Sequence, residues 1–222
     1  MSEGQPFIRF DWIVDNADAI GGRLWEHVQM TVIAVVIGFF LSFALAMLVR
    51  RFPRLYGPVI GISGTLYAIP SLALFALLIP FSGVSLVTAE IALVSYTLLI
   101  LTRNLVEGLR AVPTDAIEAA AGMGYTPAQR LLRVELPLAL PVIFAGLRIA
   151  TVSTVGLVTV AALIGLGGLG YLIVTIGTAR GSFGLTATLT GIVLAVGLAV
   201  LADLLLLAAQ RALTPWARRR EG

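Results

Sequence analysis

The residues that could do chemistry in this chain are concentrated in one polar stretch, residues 113–137, which interrupts strongly apolar sequence. Thr114 or Asp115 is a suitable N-cap for a helix, because an oxygen-bearing side chain accepts a bond from an unpaired backbone N–H. Glu118 then lies in the first turn, where a carboxylate suits the positive end of the helix dipole. Small alanines follow it, so this helix is predicted to dock closely against a partner.

A glycine corner is predicted to join this helix to a second one. Gly122 and Gly124 are expected to end the first helix, since glycine adopts the left-handed conformation that helix C-termini favour. Thr126, Pro127 and Gln129 then match a capping box with proline at the first helical position. The stretch is therefore predicted to form two capped helices suited to docking.

Composition excludes several classes of reactive site. The 222 residues include no cysteine, which excludes disulfides, thiolate metal sites and thiol nucleophiles. All 15 basic residues are arginine, and without lysine the chain has neither a Walker-type nucleotide site nor a Schiff base. The single histidine, His27, is expected at the water interface and not at a metal. No catalytic residue, metal site or cofactor bound by this chain is predicted.

The elements that must position the polar stretch are membrane helices. The chain is 59% hydrophobic and only 12% charged, against about 25% charged in soluble proteins. Several windows of about 20 residues carry no charge, which indicates spanning helices. The predicted fold is an all-α polytopic membrane protein with about five transmembrane helices. The spans cover residues 28–49, 57–81, 84–102, 138–164 and 185–207.

The arginines predict the orientation of these spans, because short cytoplasmic loops are enriched in positive charge. Arg9, Arg23 and Arg180 fall on the outer side. The cytoplasmic set is Arg50, Arg51, Arg54, Arg103, Arg110, Arg130, Arg133, Arg211, Arg218, Arg219 and Arg220. The N-terminus is therefore expected outside and the C-terminus inside, with residues 113–137 in the cytoplasm. Topology explains these basic clusters better than nucleic-acid binding does.

Three regions are expected along the chain. Residues 1–26 form an extracytoplasmic, interfacial segment with aromatic anchors such as Trp12, and they do not resemble a cleaved signal. Residues 27–212 form the transmembrane domain, and residues 213–222 a basic cytoplasmic tail. Within the second span, Pro70 is expected to kink or break the helix. Splitting that span into two crossings would place both termini on one side and break the charge pattern.

Charged residues within the predicted spans leave two interpretations open. Glu90, Arg148 and Asp203 are costly in lipid, so each is expected to face protein, water or an interface. They serve either structural pairing or a transport path. The aromatic residues of the spans show no spacing that predicts a cation site. The glycine-rich run at residues 165–170 follows a long helix and not a strand, which favours a tight loop over a nucleotide site.

The polar stretch resembles the EAA loop of bacterial ABC importer permeases. Glu118-Ala119-Ala120 is followed by Gly124 after three residues, and nine further residues separate Gly124 from the final motif ending in Leu136-Pro137. Val134 stands where the family usually has isoleucine. Tyr67 to Leu74 and Ala161 to Gly170 resemble the glycine betaine/carnitine/choline, or osmoprotectant, branch. The methionine-type branch shares the glycine-rich part.

The resemblance implies a complex in the bacterial cytoplasmic (inner) membrane. This chain would be one of two permease subunits, identical or paralogous, working with two cytoplasmic ATPases that bind ATP and magnesium, and with an extracytoplasmic binding protein. The helix at residues 115–123 would be the coupling helix seated on the ATPase, and Pro137 would end the second helix and begin the fourth span. The predicted ATPase-coupling residues are Asp115, Glu118, Ala119, Ala120, Gly124, Leu136 and Pro137. The predicted translocation-path residues are Tyr67, Pro70, Ser71 and Arg148.

Three functions are considered. The leading hypothesis is the permease of an importer for glycine betaine, choline or carnitine, which forms the path and couples ATPase closure to alternating access. A second keeps the architecture but transports methionine or another small metabolite. The third is a channel or secondary transporter that works without an ATPase. Nothing in the residues indicates an enzyme.

Overall fold

Within the residues that it describes, 8–179 and 183–216, the computed structural model contains nine α-helices and no β-strand. The helices are α1 (Phe10–Asp15), α2 (Ala17–Arg51), α3 (Tyr56–Ala68), α4 (Ser71–Ser82), α5 (Leu86–Arg110), α6 (Thr114–Gly122), α7 (Pro127–Arg130), α8 (Leu136–Ala161) and α9 (Gly184–Leu213). Short 3-10 helices cover Pro53–Leu55 and Ala162–Ile164, and π-helical turns cover Leu131–Glu135 and Leu172–Ile176. Four of the arginines used to predict the orientation lie outside the described residues, namely Arg180 and Arg218–Arg220.

In the described part of the chain, four helices are long and apolar enough to cross a membrane: α2, α5, the continuous stretch Pro127–Ile164, and α9. The pair α3 and α4 raises the number to five if it is counted as one broken span. The prediction of an all-α polytopic protein is thereby confirmed. Helix α2 begins at Ala17, so the expected regional boundary at residue 26 falls inside a helix.

The break between α3 and α4 lies at Ile69–Pro70, and the two helices are bent by 94°. Ile69 is extended, at φ −65° and ψ 129°, as the residue before a proline prefers to be. The Tyr96 hydroxyl on α5 donates to the Ile69 carbonyl at 2.5 Å and satisfies one backbone group freed by the break. The expected interruption at Pro70 is confirmed.

The core lies where α2, α5 and α8 pack together, because apolar side chains from all three fill it. One cluster includes Met30, Leu93 and Val158 together with Phe75 of α4. Small residues allow the helices to approach closely, as membrane helices require. A Cβ on Gly38 would overlap Thr97, one on Gly146 would overlap Asn104, and one on Gly108 would touch Ala139.

Candidate functional site

Helix α6 has one face against the bundle and one face open. Ala120 is 1% exposed, and Ile117 packs against the apolar cluster at that end of α2, α5 and α8. Asp115, Glu118 and Ala119 are exposed on the other face. Three of the predicted coupling residues therefore lie on the open outer face of α6, which carries two carboxylates, whereas the predicted Ala120 lies on the face against the bundle.

The corner after α6 depends on Gly124. Its φ is +82°, a conformation that side-chain-bearing residues rarely adopt. The Gly124 N–H donates to the Ala121 carbonyl at 3.0 Å, and the Tyr125 N–H donates to the Ala120 carbonyl at 3.1 Å. These two bonds form a Schellman motif, which pairs carbonyls that the helix end leaves open. Gly122, by contrast, is helical and has open space around it.

The two helix starts differ in how well the sequence predicted them. The capping box on α7 is confirmed: the Gln129 N–H donates to Thr126 Oγ1 at 3.3 Å, and the Thr126 N–H donates to Gln129 Oε1 at 2.9 Å. The expected cap on α6 is wrong. Thr114 and Asp115 lie inside the first turn, and the N-cap is Pro113, which has no side-chain bond to offer. Proline at this position sets the extended backbone from which the helix begins.

Pro137 does not end the second helix, contrary to expectation. A continuous helical stretch runs from Pro127 to Ile164 through Leu136 and Pro137. The turn before it is π-helical, with the Leu136 N–H bonded to the Leu131 carbonyl. Because a π turn is wider than an α turn, it relieves the clash between a proline ring and the carbonyl four residues earlier. Helix α7 is thus continuous with the fourth span, while α6 is set off from both by the corner at Gly124.

The predicted path residues separate into two neighbouring grooves. Tyr67, Pro70 and Ser71 line one groove at the α3–α4 break, with a volume of about 430 Å³. Arg148 lines a second groove, of about 380 Å³, together with Asp203. Ser153 on α8 lines both. The two sets are therefore adjacent along α8 but do not form one cavity.

Arg148 and Asp203 form a bidentate ion pair between α8 and α9. Nε and Nη2 of the arginine lie 2.7 Å from the two carboxylate oxygens of the aspartate. This geometry is the strongest arrangement for an arginine and a carboxylate. It bears out the structural-pairing interpretation for both residues, while their position in a groove leaves the path interpretation open.

The comparisons identify the architecture. A family model described as the inner membrane component of binding-protein-dependent transport systems matches residues 34–219. That match covers most of the chain, including both grooves, α6 and Gly124. The chain belongs to this family. The permease is thus a multi-pass inner-membrane component.

Relatives of the permease share most of its length. It is 37% identical over 213 residues to the choline transport system permease protein OpuBB of Bacillus subtilis, covering 94% of this chain and 96% of that protein. It is 40% identical over 167 residues to the osmoprotectant import permease protein OsmW of Salmonella typhimurium, covering 73% of this chain and 78% of that one. These relatives are named as permeases and not as enzymes.

A solved structure supports the fold of the permease. A chain of the MetNI methionine ABC transporter in an inward-facing conformation superposes with a TM-score of 0.74 and 29% sequence identity. The match covers 88% of this chain and 96% of the other. The permease therefore has the helical architecture of an ABC transporter subunit.

Glu135 of the permease was not identified as a functional residue from the sequence. Its side chain is 6% exposed, and Oε1 accepts from Arg50 Nη2 at 2.8 Å and from Arg130 Nε at 3.1 Å. The carboxylate thereby ties α7 and the π turn to the end of the first span, α2. The available signal was a glutamate placed immediately before the Leu136-Pro137 motif in a segment already rich in arginine.

The glycine-rich run at residues 165–170 forms a tight loop against α2, as expected. The Gly168 N–H donates to Glu26 Oε2 at 2.9 Å, and the Leu169 N–H donates to His27 Nδ1 at 3.2 Å. Gly168 has a φ of +78°, and a Cβ there would lie 3.2 Å from the imidazole.

The expected place of His27 at the water interface is wrong, since its side chain is fully buried. Nε2 lies 3.0 Å from the Val155 carbonyl, while Nδ1 accepts from Leu169. One ring nitrogen therefore donates and the other accepts, as in a neutral imidazole. The histidine joins α2, α8 and the glycine-rich loop.

Glu90 remains without a partner among the described residues. Both carboxylate oxygens are buried and accept no hydrogen bond there, so the structure shows no pairing for this residue. In the same described part of the chain, no group of three His, Cys, Asp or Glu side chains is arranged to hold a metal.

Proposed function

We propose that this permease is the membrane subunit of an ABC importer for osmoprotectants of the quaternary-amine class, such as choline, glycine betaine and carnitine. The observation that carries this proposal is the 37% identity to a choline transport permease over nearly the full length of both chains. Further relatives with similar coverage are named for glycine betaine, carnitine and choline transport. The likeness to a methionine transporter is weaker in sequence, at 29% identity.

The proposed complex contains two permease subunits, two cytoplasmic ATPases that bind and hydrolyse ATP with magnesium, and an extracytoplasmic binding protein. This chain contributes no ATP site, because it has no lysine for a Walker motif. The open face of α6, with Asp115, Glu118 and Ala119, is the surface proposed to seat on the ATPase. Its small side chains permit close approach, and its carboxylates suit basic groups on that partner.

ATP-driven closure of the ATPase pair would then be transmitted along a rigid path. Movement of α6 passes through the Schellman corner at Gly124 to α7, and through the π turn at Leu131–Glu135 into α8. Glu135 carries the same movement to α2 through Arg50. Helix α8 lines both grooves, so its tilt would change access to them. Two conformations biased by a ligand on a partner are sufficient for alternating access.

Reconstituted transport tests this function. The permease is assembled with its ATPase and binding protein in proteoliposomes, and uptake of labelled choline, glycine betaine and carnitine is measured with and without ATP. We expect ATP-dependent uptake of at least one of them that excess methionine does not inhibit. Uptake of methionine alone would favour the small-metabolite alternative. Uptake driven by an ion gradient without ATPase would contradict the proposal.

A further inference from the structure

The groove at the α3–α4 break has the features of a binding site for a small organic cation. It holds about 430 Å³ and is lined by the exposed turn at Tyr67–Ser71, by Tyr96, and by the α8 residues Ser153, Gly156 and Leu157. None of the described residues that line it is charged. A small metal ion requires several carboxylate or carbonyl ligands, whereas a weakly hydrated cation needs mainly shape, aromatic faces and dipoles.

An aromatic face is available in this groove. Tyr67 is 41% exposed, and its ring meets Tyr96 edge to face, with centroids 5.9 Å apart and an interplanar angle of 72°. Tyr96 is 5% exposed, and its hydroxyl is bound to the Ile69 carbonyl, so it holds its orientation. The exposed ring is therefore backed by a fixed one. Aromatic rings attract cations through the negative charge on their faces, and quaternary ammonium groups are typical ligands.

The backbone at this break supplies dipoles of both signs. Helix α3 ends at Ala68, and α4 begins at Ser71 after Pro70, which has no N–H. The Leu66 carbonyl accepts from the Ile69 N–H at 3.3 Å, and the Ile69 carbonyl accepts from the Tyr96 hydroxyl, so both are paired. The C-terminus of α3 carries about half a negative charge and the N-terminus of α4 about half a positive one, so the two helix ends together do not form a pole of one sign. The aromatic face therefore determines the preference of this groove for a cation.

Nearby positive charge is compensated. Arg148 lines the adjacent groove, which shares Ser153, but both of its contacting nitrogens lie 2.7 Å from the Asp203 carboxylate. The bidentate pair leaves no net charge there to repel a cation. The polar groups that line the 430 Å³ groove are hydroxyls and backbone groups. They carry no full charge that would repel a bound cation.

We propose that this groove is a transient binding subsite for the quaternary ammonium group of the transported ligand, with Tyr67 as its aromatic face. The choice of ligand class rests on the proposed function. The subsite belongs to the permease itself and is separate from recognition by a binding protein.

Binding is tested on the assembled permease and ATPase in lipid nanodiscs, with the binding protein left out. Choline is the probe, detected by saturation transfer from the protein to its methyl protons. Its uncharged carbon analogue, 3,3-dimethylbutanol, has the same shape and serves as the matched ligand. The variants are Tyr67→Phe, which keeps the ring, and Tyr67→Leu, which removes it. Phe40→Leu is the control, since Phe40 is 67% exposed and does not line this groove.

We expect wild type, Tyr67→Phe and Phe40→Leu to bind choline in preference to the carbon analogue. Tyr67→Leu should bind choline roughly 5- to 30-fold more weakly and lose the preference. If Tyr67→Leu does not assemble with the ATPase, the preference of wild type and Tyr67→Phe for choline over the carbon analogue tests the subsite. No choline binding by wild type, equal binding of the analogue, or unchanged affinity in Tyr67→Leu would overturn the subsite. Uptake by the complete importer would test the proposed function independently of this result.

Discussion

Gly124 is the residue at which the backbone conformation most directly restricts the choice of side chain in the corner after α6. Its φ of +82° is strained for any residue with a Cβ, although the space around it is open. We expect Gly124→Ala to destabilise the corner by about 1–2 kcal/mol, the cost of the left-handed conformation for an L-residue. Thermal unfolding of the purified permease measures this loss, and ATP-driven uptake by the complex should fall with it.

Gly122→Ala is the matched control for that substitution. Gly122 also has open space around a new Cβ, but it is helical and has no positive φ. Alanine there should leave stability unchanged or raise it by about 0.5–1 kcal/mol, because glycine is a poor helix former. Equal effects of the two substitutions would contradict a conformational role for Gly124.

Glu135 is the second residue with a large expected effect. Replacing its buried carboxylate by an amide in Glu135→Gln leaves Arg50 and Arg130 without their counter-charge. Since hydrogen bonds to charged groups contribute about 1.5–3 kcal/mol, and both arginines are partly exposed, we expect a loss of about 1–3 kcal/mol in thermal unfolding.

The control for Glu135 is Glu107→Gln. Glu107 also pairs with an arginine, Arg110, at 3.3 Å, but both side chains are 47% exposed. Exposed pairs contribute about 0–1 kcal/mol, so this variant should be nearly neutral. A Glu135→Gln protein as stable as Glu107→Gln would show that the buried pair does not hold α7 and the π turn to α2.

What the sequence predicted at this scale depended on whether the cause is local. The corner at Gly124 and the capping box at Thr126 follow from neighbouring residues, and both were predicted. The start of α6 is also local, but three adjacent residues could have capped it and the sequence favoured the wrong ones. His27 and Glu135 are buried by elements distant in the chain, so their partners could not be read from the local pattern. The edge-to-face contact of Tyr67 and Tyr96 joins residues on different helices, and sequence spacing gave no signal of it.

At the scale of elements, the spans were predictable because a continuous apolar run determines them. The ends of the helices were less predictable than the spans. Helix α2 begins at Ala17 and α5 ends at Arg110, because polar residues continue each helix beyond its apolar run. Prolines had opposite outcomes. Pro70 lies at a break where α3 and α4 are bent by 94°, whereas Pro137 lies inside a continuous helical stretch, after a π turn that accommodates it. Which outcome applies depends on the geometry of the preceding turn, which the sequence does not state.

The broken pair α3 and α4 allows a sharp test of topology. If it crosses the membrane, Val84, which follows α4 and is 56% exposed, lies outside. If it re-enters on the cytoplasmic side, Val84 lies with Arg54. We expect Val84→Cys to react with an impermeant maleimide on intact cells. The wild-type chain has no cysteine and provides an unlabelled background. Labelling only after the cells are opened would contradict five crossings.

At the scale of the whole molecule, two polar networks occupy the two ends of the bundle. Glu135 joins Arg50 and Arg130 at one end. At the other, Glu26 accepts from the glycine-rich loop and Arg23 lies over the ring of Tyr171, just after that loop. These are the ends that the arginine pattern assigns to the cytoplasm and to the outside. The family was predictable because its motif is local in sequence. The grooves were not, because each is assembled from helices far apart in the chain.

The most direct test of the central claim, that the open face of α6 is a cytoplasmic contact for an ATPase, uses Ala119→Cys and an impermeant maleimide. Ala119 is exposed, and a cysteine adds one sulfur without blocking the face. We expect labelling in inside-out vesicles, none in sealed right-side-out vesicles, and strong protection when the ATPase is assembled on the membrane. Labelling from the outside, or labelling at the same rate with and without the ATPase, would contradict the claim.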